Sequence, residues 1–116
     1  MSILEEKSRD IGRLIGQSAE YQAVKRANDA LSNDREVTAL LRELETLRRQ
    51  VLERGDEPTP EMEERLNTLL EQLQSYPSYQ SLVVAQENFD KLMMRVNEWI
   101  LTGIRAGAAS PIITLA

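Results

Sequence analysis

Histidine and cysteine are both missing from these 116 residues, and the two absences remove most of the chemistry that a small protein performs. Without cysteine there is no disulfide, no thiolate metal site and no cysteine nucleophile. Without histidine the commonest general base and the commonest transition-metal ligand are gone. Aromatic residues make up 4%, with one Phe and one Trp, so a core must be built from Leu, Ile, Val, Met and Ala. No apolar run reaches the ~20 residues that span a bilayer. The charged, amphipathic stretch from Met1 to Arg13 reads as neither signal peptide nor membrane span. The net charge of −5 and a pI near 4.8 argue against a broad phosphate-binding surface. A reducing, cytoplasmic setting is the expectation.

What the chain does have is helical periodicity. Its composition, 41% hydrophobic and 28% charged, is that of a folded domain rather than a disordered segment. One helical domain over residues 1–110 is expected, with a short tail at 111–116. Leu82, Ala85, Phe89, Leu92, Val96, Trp99 and Gly103 alternate at spacings of 3 and 4, which lays one narrow seam along a helix from Pro77 to about Gly107. Met93, Ile100 and Ile104 widen that face. Earlier in the chain, Val37, Leu40, Leu44, Leu47 and Val51 repeat the pattern, as do Met62, Leu66, Leu69, Leu73 and Tyr76.

Local signals place the breaks. Ser2 with Glu5, and Asn33 with Glu36, match capping boxes. Gly16, followed by Ser18 as a cap, marks a break or a bend between the first segment and a second. In that second segment Tyr21, Val24, Ala27 and Leu31 face inward. Gly55 suits the left-handed position past a helix end, and Thr59-Pro60 supplies a cap and a proline at the first helical position. Two heptad helices joined by so short a loop fold back as an antiparallel hairpin. The fold class is therefore all-α: an antiparallel helical hairpin or bundle with a long C-terminal helix. A final helix of about 30 residues measures roughly 45 Å, longer than the ~35 Å diameter of a compact monomer this size. Its stripe needs a second chain to cover it, so the heptad seams are expected to hold an oligomer. The seam residues are Leu82, Phe89, Leu92, Val96, Trp99 and Ile100.

Candidate sites are few. Glu61, Glu63 and Glu64 cluster at a helix start, where carboxylates complement the dipole, and di-iron bundles require Glu-x-x-His pairs that this chain lacks. Gly12 and Gly16 form no phosphate loop. Ser110 and the other hydroxyls have no histidine with which to form a triad. No catalytic residue, metal or cofactor is expected. Arg42, Arg48 and Arg49, interleaved with Glu43, Glu45 and Glu53, form the candidate partner surface on an otherwise solvated, ion-paired face.

The order of short motifs carries more than any one of them. Ser18-Ala19-Glu20-Tyr21, Ala27, Ala30-Leu31, Asp34-Arg35-Glu36 and Leu40-Leu41-Arg42-Glu43-Leu44 come first. Gly55, the Pro-Thr-Pro helix start, Tyr76-Pro77, Ala85 and the apolar run at Val96, Ile100 and Ile104 follow. Together they resemble the YlbF/YmcA-like family of small bacterial regulators, YheA-type proteins included. That resemblance implies an all-helical protein forming dimers or larger oligomers. It also implies a place near the complex that modulates the membrane-associated endoribonuclease Y, and so mRNA turnover, competence, sporulation and biofilm formation. Some members carry cysteines associated with iron–sulfur clusters; with no cysteine here, the cluster does not transfer. The expectation is a non-enzymatic cytoplasmic adaptor whose partners are itself and a ribonuclease or helical paralogue, with no membrane insertion. A structural or chaperone-like homo-oligomer and a weak RNA-binding adaptor stand as alternatives.

Overall fold

Four helix starts carry a side-chain cap on the backbone. Ser2 accepts from the Glu5 amide, Ser18 from Tyr21, Asp34 from Val37 and Thr59 from Met62, each satisfying an amide that the helix itself leaves unpaired. A computed structural model describes residues 2–109, arranged as α1 (Ile3–Gly16), α2 (Ala19–Ser32), α3 (Arg35–Arg54), α4 (Pro60–Gln74) and α5 (Pro77–Ala109), with no strand among the described residues. The expected tail at 111–116, Pro111 as helix stop and the Ser110 hydroxyl lie outside the described residues.

Two junctions differ from the sequence expectation. The cap of α3 is Asp34, not Asn33; Asn33 has helical dihedrals and closes α2. The final helix runs two residues beyond Gly107. At Gly16 the chain breaks outright. Ser18 Oγ donates to the Ile15 carbonyl at 2.6 Å while accepting from the Tyr21 amide at 3.1 Å, so one hydroxyl closes α1 and opens α2. Gly55 takes the left-handed position at φ 71°, a conformation that costs any side-chain-bearing residue about 1 kcal/mol or more.

Packing follows the two heptad rows. Leu31, Val37, Leu44, Leu69 and Leu73 form one buried cluster between α2, α3 and α4, with Leu40, Leu41, Leu47, Leu66, Leu70, Tyr76, Tyr79 and Leu82 around it. On the outer surface of the hairpin, Arg65 on α4 pairs with Glu43 on α3, its Nε donating at 3.0 Å. A second cluster, Val24, Ala27 and Ala85 with Ala23, Leu82 and Phe89, joins α2 to α5. Tyr21 does not face inward as the periodicity suggests. It sits at the margin, 37% exposed, with its ring 5.6 Å from that of Phe89. The chain measures 61 × 35 × 24 Å, with a radius of gyration of 20.5 Å, against about 13 Å for a compact chain of this length. The 33 residues of α5 account for the length, spanning about 50 Å.

The turns before α3 and α5 are tied to each other. Tyr76 donates to Glu36 Oε2 at 2.8 Å and Ser78 to Asp34 Oδ2 at 3.2 Å. The bond to Glu36, then desolvation, then the Glu36 and Asp34 charges raise the Tyr76 phenol above its usual 10.0. A raised folded pKa means that this contribution to stability is whole below pH 10 and lost as pH rises through the folded value. A spectrophotometric titration should resolve a phenol ionising above 10, moved down by Glu36→Gln and removed by Tyr76→Phe. An unchanged titration in Glu36→Gln would show that the bond does not hold the turns in solution.

Candidate functional site

Chemistry-bearing side chains do not converge in this fold. Among the described residues no three carboxylates meet at a point that could hold a metal ion. Glu61 and Glu63 occupy the first turn of α4, where the helix N-terminus favours negative charge. The features that remain are surfaces.

The most apolar of these is a wedge between α1 and the distal half of α5. Ile11, Leu14 and Ile15 form one wall and Leu92, Val96, Trp99 and Ile100 the other, with Ser18 at the closed end. The opening holds about 490 Å³. The wedge exists because the capped break at Gly16–Ser18 ends the close contact between the N-terminal segment and α5. α2 lies tightly along α5, whereas α1 stands away from it and buries none of its residues. Trp99 is 64% exposed and Leu14 68%. Ile3 and Leu4 at the start of α1 and Ile104 on α5 are exposed as well. Elsewhere, a shallower opening of about 660 Å³ beside α2 and α5 is lined by Ala23, Ala27, Ala30 and Val84 together with Arg26, Gln80 and Asn88, a mixed surface of small apolar and polar side chains.

The predicted seam residues therefore divide into two groups. Leu82 and Phe89 pack inside the chain against α2. Leu92, Val96, Trp99 and Ile100 line the wedge, Leu92 and Val96 half-buried and Trp99 and Ile100 exposed among the described residues. The arginines divide as well. Arg42, Arg48 and Arg49 are all exposed. Arg42 and Arg49, seven residues apart, share a face, and Arg49 lies 3.9 Å from Glu45. Arg48 is turned about 100° from Arg49 by the helix and continues the row of Leu41 and Leu44. Helical spacing in the sequence marks Ile11, Leu14 and Ile15 as the apolar face of the first helix, and the structure places that face opposite α5 as a wall of the wedge.

Comparison with known proteins gives a family and a fold. A family model described as control of competence regulator ComK, YlbF/YmcA, matches residues 4–105. Among solved structures, Bacillus subtilis RicA, crystallised in complex with RicF, superposes with a TM-score of 0.72 over 89% of this chain and 94% of that one. The two sequences are 16% identical, so this likeness shows the fold. No curated protein matches the sequence.

Proposed function

The chain belongs to the YlbF/YmcA family of competence-control regulators, and on that premise we propose that it is a non-enzymatic adaptor acting through protein–protein contacts. The uncovered wedge carries this reading. An apolar groove walled by Trp99, Ile100 and Leu14 is what a helical partner fills, whether a further copy of the chain or a paralogue. RicA in complex with RicF gives the structural neighbour a protein partner, which supports the same mode here. The arginine/glutamate face of α3 is the second contact surface, and an RNA-processing complex of the ribonuclease Y type is the regulated target. The reading assigns the protein to the cytoplasm. No helix among the described residues is long and apolar enough to cross a membrane, so an association with a membrane-bound enzyme would run through protein contacts.

Affinity capture from the host, read by mass spectrometry, tests this. It should recover a helical paralogue or a ribonuclease. Reversing the charge of Arg42, Arg48 and Arg49 should weaken that capture about tenfold while leaving helicity and oligomer mass unchanged. Sub-micromolar RNA binding abolished by the same changes would show a nucleic-acid adaptor instead. Against that outcome stand the Glu45 partner of Arg49 and the divergence of Arg48, since phosphates need cationic side chains gathered on one surface.

A further inference from the structure

The opening of about 660 Å³ beside α2 and α5 does not end at Ala23 and Asn88. It continues across them into a second opening of about 300 Å³, bordered by Ala19, Lys91 and Arg95. The two form one groove with a helical ridge on each side. On α2 the ridge is Ala19, Ala23, Arg26 and Ala30, and on α5 it is Val84, Asn88, Lys91 and Arg95. Each ridge steps by 4, 3 and 4 residues, which keeps it on one face of its helix for about 16 Å. The ridges run antiparallel, since Ala30 shares its opening with Gln80 and Ser81, and Ala19 with Lys91 and Arg95.

Two properties decide what such a groove receives. The first is its floor, where Ala27 and Ala85 are buried and Ala23 is half-buried. Methyl side chains let the backbone of a third helix approach to the near end of the ~8–10 Å range of helix packing. Val84, 56% exposed, stands beside that floor as an uncovered apolar contact. The second property is charge. Among the described residues Arg26, Lys91 and Arg95 line the groove against the carboxylate of Glu20, in a chain whose net charge is −5. None of the three cations pairs with a carboxylate among the described residues. They are spread along the groove, which suits a rod of negative charge rather than a small anion. No aromatic ring lines it among the described residues, so the bases of an RNA would find nothing to stack on.

We propose that this groove seats an acidic amphipathic helix of a partner protein, about three to four turns long. Its small apolar side chains lie on the alanine floor, and its carboxylates, at spacings of three and four, stand beside Arg26, Lys91 and Arg95. The groove does not compete with the wedge. Lys91 and Arg95 each precede a wedge residue, Leu92 and Val96, so the two surfaces lie about 100° apart around α5. One chain can thus hold an apolar helix in the wedge and an acidic one in the groove at the same time, which is the bridging that an adaptor performs. The inference rests on the adaptor reading and gives it a second partner chemistry.

The test replaces Val84 by photoreactive benzoylphenylalanine in the full-length chain. Parallel chains carry it at Ile100 in the wedge and at Leu52, which is 81% exposed near the end of α3. Irradiation in the host cells, then mass spectrometry of the joined peptides, identifies the segment that lies in the groove. Val84 should join to a protein segment of net negative charge that Leu52 does not reach. A synthetic peptide of that segment should gain helical circular dichroism on binding. Its affinity should fall roughly tenfold when Arg26, Lys91 and Arg95 are changed together to Glu, and should fall as salt is raised. The three are exposed, and the salt series on the unaltered chain needs no variant. A neutral or basic segment, a second copy of this chain, or RNA joined at Val84 would overturn the proposal. So would joining at Val84 no greater than at Leu52; a partner still joined at Ile100 would then leave the adaptor reading standing. No partner at any of the three positions would overturn both.

Discussion

Truncating Leu69 to alanine should cost about 2–5 kcal/mol of folding free energy, enough to leave the variant largely unfolded near 37 °C. Leu69 is fully buried, 0% exposed, at the centre of the hairpin, with Val37, Leu44 and Leu73 around it. Removing most of its side chain leaves a cavity that two helices joined by a short loop cannot collapse. Leu52→Ala supplies the contrast, since its side chain is already in water and should shift stability by no more than about 0.5 kcal/mol. Thermal or urea unfolding followed by circular dichroism measures both. Equal effects in the two variants would mean that the hairpin is not the stability centre.

The second large effect concerns Leu92→Arg. Leu92 is half-buried on the α5 wall of the wedge, which Ser18 at the start of α2 also lines. An arginine there places a charge without a carboxylate partner on an apolar surface that a partner must dehydrate. Self-association should weaken by about 100-fold or more, the scale of a central interface residue. The hairpin core, which Leu92 does not touch, should remain folded. Light scattering would then report the monomer mass with near-native helicity. A variant that kept both its mass and its thermal midpoint would show that Leu92 faces nothing.

What could be read from the sequence, and what could not, divides by the range of the physics involved. Ser18, Gly55 and Thr59-Pro60 act within a turn of the backbone, and each stands where its local chemistry puts it. Asn33 and Asp34 are equally good caps by type. The choice between them is made by tertiary packing, which must bring both Leu31 and Val37 into one cluster. Tyr21 shows the same limit: periodicity assigns it to a face, but only the position of Phe89 decides how much of that face is covered. The three arginines do not share one face because sequence neighbours on a helix point about 100° apart, which leaves Arg42 and Arg49 together and turns Arg48 aside. The family likeness, by contrast, was legible from the order of soft motifs, and the family model over residues 4–105 supports it.

The connections differ in length, and that sets an order of events. Five residues, 55–59, join α3 to α4, whereas 44 residues, 33–76, separate α2 from its neighbour α5. Bringing together ends so far apart costs about 2 kcal/mol more in chain entropy than closing the short loop. The hairpin should therefore form in the rate-limiting step, with α5 settling along α2 afterwards. In stopped-flow measurements Leu69→Ala should slow refolding, while Phe89→Ala should chiefly hasten unfolding; the opposite pattern would place the nucleus at α2 and α5. It follows that α1, synthesised before the four helices that follow it, is among the last of the five to find its place, because the wall it faces is on α5.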